Sequence, residues 1–151
     1  MKGKVYSLNI GKEKGKGKIP VPEAYFQQGS GLEGDVHAGV LEDRQVSLLA
    51  WERIQEKNFC LKKSGPDLKP GDFAENITTV NLDLTKLKPG TKIYIGSVVL
   101  EVSKIGKECH NYCQIYKKLG SCLMPREGVF ARVLKGGSVK VGDEIEIKND
   151  Y

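Results

Sequence analysis

Three of the four cysteines and one of the two histidines fall within fourteen residues, from Cys109-His110-Asn111-Tyr112-Cys113 to Cys122. Lys104, Lys107, Lys117 and Lys118 stand close by in sequence. A thiol works as nucleophile or metal ligand only as the thiolate, and nearby cations favour that form, pulling the pKa below its free value of about 8.5. The clustering therefore suggests a segment that presents a working sulfur atom. The competing reading is a set of buried cysteines acting as small apolar residues. A structural zinc or iron–sulfur site built from Cys109, Cys113, Cys122 and His110 or His37 is a third option. Against it, Cys-x3-Cys-x8-Cys lacks the paired Cys-x2-Cys of common zinc modules.

A second informative stretch runs from Gly29 to Gly39, GSGLEGDVHAG. Its glycines allow positive φ or close approach of backbone to a ligand. If Asp35 to His37 is extended, the carboxylate and the imidazole share a face, where they could orient a ligand or exchange a proton. The plainer reading is an Asp- and Gly-rich turn with a surface histidine. Arg44 offers a planar fork suited to phosphate or carboxylate. Phe73-Ala74-Glu75-Asn76-Ile77-Thr78-Thr79 sets several polar side chains in a row, unusual for a strand that merely fills a core, and Asn76 can both donate and accept. The run Gly11 to Lys18, GKEKGKGK, invites a phosphate-loop reading but lacks the Gly-x-x-x-x-Gly-Lys-Ser/Thr spacing. It reads as a flexible basic loop.

The elements that must position these groups are mostly strands. Lys2 to Ile10 alternates apolar and polar residues and reads as an opening strand. Ser47 is placed as the N-cap of a helix over Leu48–Lys57, with Leu48, Trp51 and Ile54 near helical spacing and Trp51 in the core. Lys92–Ile95 and Val98–Val102 flank Gly96-Ser97 as a hairpin with a type II′ loop. Residues 114–119 read as a short helix ended by Gly120. Gly128–Leu134, Val139–Val141 and Glu144–Ile147 read as closing strands. Leu68-Lys69-Pro70-Gly71-Asp72, Leu87-Lys88-Pro89-Gly90-Thr91 and Lys140-Val141-Gly142-Asp143 share turn chemistry that feeds strands. The expected fold is a mainly β, single-domain, closed or nearly closed β-barrel with one or two short helices, spanning residues 1–151.

A chain of 151 residues with 39% hydrophobic and 28% charged residues can bury a proper core without disulfides. It has no apolar run of about 18 residues and no apolar centre of a secretory signal, so a cytoplasmic location without membrane contact is expected. There, clustered cysteines react or bind metal more often than they form bridges. The net charge of +5 suits an anionic ligand or an acidic partner. Without an aromatic-rich basic motif, nucleic acid is not an expected partner.

Taken in order, several short motifs resemble the MOSC domain, named for the C-terminal part of molybdenum-cofactor sulfurases. They are Gly31-Leu32-Glu33-Gly34-Asp35-Val36-His37-Ala38, Arg44-Gln45-Val46, Gly71–Thr79, the cysteine after Gly106-Lys107-Glu108, and Gly128-Val129-Phe130-Ala131-Arg132-Val133 with Gly142-Asp143. The motif-bearing part runs from about residue 31 to 147. The resemblance implies a barrel-like fold and a role in handling the molybdenum–pterin cofactor (molybdopterin). It also implies transport of sulfur as a cysteine persulfide. Cys109 matches the family cysteine, as sulfur carrier or molybdenum ligand, with Lys107 and His110 favouring its thiolate. Asp35, His37, Arg44, Gln45, Glu75, Asn76 and Thr78 match positions that would line the cleft. Cys113 and Cys122 depart from the family's single cysteine; Cys113 could act as a resolving thiol. Larger relatives carry a pyridoxal-phosphate desulfurase domain that these residues lack. A separate cysteine desulfurase would then be the sulfur donor, and a molybdoenzyme or the cofactor the acceptor. The alternative within the family is a cofactor-binding module without turnover.

Overall fold

The computed structural model describes residues 1–61, 68–106 and 127–148. The expected cysteine segment, with Lys107, Cys109, His110, Cys113 and Cys122, and the helix expected over 114–119 lie outside the described residues. In chain order the strands are β1 (Lys2–Ile10), β2 (Ile19–Val21), β3 (Glu23–Gln27), β4 (Gly31–Leu32), β5 (Val46–Ala50), β6 (Ile77–Val80), β7 (Lys92–Ile95), β8 (Val98–Ile105), β9 (Val129–Lys135), β10 (Gly137–Lys140) and β11 (Glu144–Lys148). One helix, α1 (Trp51–Leu61), follows β5.

Seven strands close a barrel in the order β11-β7-β8-β9-β5-β6-β1, with β1 paired back to β11 through Lys2 opposite Glu146 and Lys4 opposite Glu144. β2 continues the sheet beside β1, and β10, β3 and β4 form a small second sheet. Pairing is antiparallel except between β5 and β6, the two strands that α1 separates in sequence. A parallel pair needs such a crossover. The mainly β, closed-barrel expectation therefore holds.

Alternation explains most strands. In β3 the residues Ala24 and Phe26 are buried and their neighbours exposed, which is the period of a half-buried strand. Lys2–Ile10 forms as expected. So does the hairpin, where Ile95 faces Val98 and Gly96 takes φ +59°, a conformation that suits glycine.

The expected helix start is corrected. Ser47 is not an N-cap, and Val46–Ala50 is a strand whose five residues are all buried; the helix begins at Trp51. A short apolar run covered on both faces carries no distinguishing period. Here the covers are two cores. Val46, Leu48 and Ala50 join the large cluster that fills the barrel. Leu49 joins a second cluster with Ile54, Leu68, Phe73 and Phe130, on the side where α1 packs. Trp51 is half-buried against this second cluster and stacks on Tyr6 with ring centroids 4.9 Å apart.

Candidate functional site

A cavity of about 250 Å³ opens beside the second cluster. Phe73, Ala74, Val40, Leu41 and Phe130 supply apolar walls, and Lys14, Lys18, His37, Arg44, Ser47 and Asn76 the polar lining. The floor is held by reciprocal hydrogen bonds between β5 and the start of β6. Asn76 Oδ1 accepts from the Ser47 N–H at 3.0 Å and from Ser47 Oγ at 3.2 Å. Its Nδ2 donates to the Asn9 carbonyl at 3.2 Å. Buried amides and hydroxyls are tolerated when partnered in this way. These bonds fix the side of Asn76 that faces the cavity.

The cationic wall is organised by one carboxylate. Asp35 is buried, and its Oδ2 accepts from Lys18 Nζ at 3.0 Å and from the His37 N–H at 3.1 Å. Oδ1 accepts from the Gly11 N–H at 2.9 Å, and His37 Nδ1 lies 3.9 Å from Oδ2. Burial pushes the carboxyl up, but the Lys18 ammonium, with hydrogen bonds from Gly11, Lys18 and His37, outweighs it and holds Asp35 below its ordinary value. The expectation of an extended Asp35–His37 gives way to a turn. Carboxylate and imidazole still meet, through the backbone as well as the ring.

Arg44 is half-buried over the Phe130 ring, 5.9 Å from its centroid. Its Nε is buried without a hydrogen-bond partner among the described residues. A guanidinium donor kept from water and left unpaired costs free energy unless something else accepts from it. At the cavity wall, a donor of this kind suits an anionic acceptor.

Behind the floor lies Glu75, fully buried. Its Oε2 accepts from the Gly71 N–H at 3.0 Å and from Thr78 Oγ1 at 2.7 Å, while Oε1 has no partner among the described residues. Burial, the largest influence, raises its pKa against these hydrogen bonds. Gly71 makes the loop possible: its φ is +89°, and a Cβ there would sit 2.2 Å from the Lys18 carbonyl.

Of the residues expected to line the cleft, His37, Arg44 and Asn76 do so. Asp35, Gln45, Glu75 and Thr78 instead hold the lining from behind. Gln45 Oε1 accepts from the Val133 N–H at 2.9 Å, locking β5 to β9. Thr78 joins Glu75 to Asn9, whose Nδ2 donates to Thr78 Oγ1 at 3.0 Å. Lys14, Lys18, Ser47 and Phe130 line the cavity without having been assigned to it from sequence. Among the described residues no group of three His, Cys, Asp or Glu side chains converges as a metal site would. Nor is any described helix long and apolar enough to cross a membrane.

The folded chain is similar to solved structures. The YuaD protein of Bacillus subtilis superposes with a TM-score of 0.81 at 24% identity, covering 97% of this chain and 96% of that one. YiiM from Geobacillus stearothermophilus gives 0.74 at 20% identity, covering 97% and 75%. YiiM from Escherichia coli gives 0.73 at 19%, covering 100% and 71%. At such identities the likeness speaks to fold alone. No curated protein matches the sequence. The MOSC domain family model matches residues 33–146, a stretch that holds β5 through most of β11 and the His37, Arg44 and Asn76 positions of the cavity. The chain therefore belongs to the MOSC domain family.

Proposed function

We propose that the cavity binds the phosphate-bearing pterin of the molybdenum cofactor, and that Cys109 carries sulfur to it as a persulfide. The observation that carries the first half is the unpaired, buried Nε of Arg44 in a cavity that also holds Lys14, Lys18 and His37. A guanidinium fork matches a phosphate, bidentate where geometry allows. Phe73, Phe130, Val40 and Leu41 suit a flat ring, and Asn76 offers its heteroatoms donor and acceptor groups. The residues present thus fit the group. When bound, it would supply the metal–sulfur chemistry; the chain's own residues bind its phosphate, shield its ring and fix its orientation.

The sulfur half rests on the sequence segment around Cys109. Its thiolate, favoured by Lys107 and His110, attacks the outer sulfur of a persulfide on a cysteine desulfurase. The new S–S bond forms on Cys109, the donor's S–S bond breaks, and the donor cysteine leaves as thiolate, so no oxidant is consumed. The pyridoxal phosphate of that donor stays on the donor. The acceptor is the cofactor or the molybdoenzyme that takes it up.

Two measurements test the halves separately. Arg44→Gln is expected to weaken retention of the pterin by about tenfold or more, the worth of a charged hydrogen-bonded contact; pterin fluorescence on the purified protein reads it. Unchanged retention would remove Arg44 from the site and with it the cofactor reading. After incubation with a desulfurase and cysteine, the intact chain should gain the mass of one sulfur atom, and Cys109→Ser should not. An adduct that persists in the variant transfers the role to Cys113 or Cys122. Cofactor retained by a chain that never acquires sulfur would favour a binding module in which Cys109 ligates molybdenum directly.

A further inference from the structure

A groove of about 590 Å³ lies between the start of α1, the chain that follows β6 and the end of β8. Among the described residues it shares no lining side chain with the cavity that holds Arg44. Its floor is apolar. Leu49, Leu82, Leu84 and Leu87 are buried there, and Ile105 lines it while remaining 41% exposed.

The rim is acidic. Glu52, Asp83 and Glu127 stand against one guanidinium, that of Arg53, which Glu127 meets at 2.6 Å and Glu56 also holds. On a chain of net charge +5 this is a local excess of carboxylate. Two of these groups are set by backbone: Glu52 Oε2 accepts from the Asn81 N–H at 2.8 Å, and Asp83 Oδ1 from the Thr85 N–H at 3.0 Å. An ionised carboxylate can accept more than one such bond. Among the described residues no three acids converge as metal ligands, so the rim suits separate ammonium or guanidinium groups.

Position narrows the partner. The Gly106 N–H donates to the Gly128 carbonyl at 2.7 Å, and Ile105 pairs with Val129. The two ends of the barrel that carry the cysteine segment are thus joined beside the groove, which Ile105 and Glu127 line. From Gly106 to Cys109 the chain counts three residues, a reach of about 11 Å at full extension.

We propose that the groove docks the protein that supplies sulfur to Cys109, through an apolar segment flanked by Lys or Arg. The inference rests on the reading that Cys109 accepts sulfur from a persulfide. Rim charges of this kind act chiefly on encounter, and the apolar floor on how long the donor stays.

The test compares two donors by the rate at which the intact chain gains the mass of one sulfur atom. One is a cysteine desulfurase supplied with cysteine, at varied concentration. The other is glutathione persulfide, an anionic donor with no such segment. From either, Cys109 takes the outer sulfur and the donor leaves as thiolate. Glu52→Gln/Asp83→Asn keeps both acceptors and removes both charges. Its half-saturating desulfurase concentration should rise about fivefold at low salt, the scale of two exposed charge contacts, and the gap should close as salt is raised. Ile105→Thr should raise it at every salt concentration. Loading from glutathione persulfide should match the wild type in both variants. Glu23→Gln/Glu33→Gln, which removes two exposed charges in and after the small second sheet, should match it with both donors. A groove variant that loads from the desulfurase as the wild type does, or that loses equally with both donors, overturns the inference; so does a control that loses as much. A wild type that loads from glutathione persulfide but not from the desulfurase overturns it too. If the wild type loads from neither, the persulfide reading itself is wrong.

Discussion

Replacing Asp35 with alanine is expected to lower the unfolding free energy by about 3–5 kcal/mol, because it takes the carboxylate out of a buried ion pair. The Lys18 side chain is 2% exposed, so little water reaches its ammonium to take the place of the carboxylate. Two backbone N–H groups, of Gly11 and His37, lose their acceptor as well. The double variant Asp35→Ala/Lys18→Met should recover much of the loss, since it removes both charges of the buried pair and leaves only the two N–H groups without their acceptor. Urea unfolding of the two variants reads both effects. A single variant within about 1 kcal/mol of wild type, or a double variant no better than the single, would mean that the pair does not hold the loop base. The pH sign follows from the lowered carboxyl. The native state gives up this proton more readily than the unfolded chain, so the stabilisation is present above the unfolded aspartate value and is lost as pH falls through the native one.

Glu75 has the opposite sign, and its effect should dominate the other end of the pH range. Its raised pKa means that the native state holds the proton more tightly than the unfolded chain. Stability is then full below the unfolded glutamate value of about 4.3 and falls by up to about 1.4 kcal/mol per pH unit until the native value is passed. Glu75→Gln keeps an acceptor for the Gly71 N–H and for Thr78 Oγ1 but cannot ionise. Its stability should lie near the wild type's in acid and exceed it increasingly as pH rises. Urea midpoints measured from pH 4 upward decide the matter. A variant whose curve runs parallel to the wild type's would assign the slope to another group.

The elements legible in the sequence are those with a single period. Lys2–Ile10 alternates, and Lys92–Ile95 with Val98–Val102 brackets a glycine turn, so both could be read directly, although the second hairpin strand runs on to Ile105. Val46–Ala50 could not, because a strand covered by the barrel core on one side and by α1 on the other shows only an apolar run. β2 to β4 went unassigned: each is short, and Ala24 and Phe26 leave a brief alternation between prolines and glycines. At the site, residue type located the neighbourhood but not the direction of the side chain. Gln45 and Thr78 are in the right place and face structural partners. Lys14 and Lys18 sit in a loop whose composition resembles ordinary solvated charge. The place of Lys18 follows from Asp35, which is distant in sequence and is joined to it only by folding.

The pairing of β1 with β11 has a consequence for biosynthesis. β1 faces β6 on one side; on the other, β2 covers Leu8–Ile10, but Lys2–Lys4 stay open until β11 has been made. Between the synthesis of β1 and that of β11 the nascent chain exposes a short row of unmet N–H and C=O groups, a template for pairing with another chain. Lys2 and Lys4 stand on that edge opposite Glu146 and Glu144. Lysines on an unfinished edge discourage stacking between copies, and the arriving glutamates then complement them.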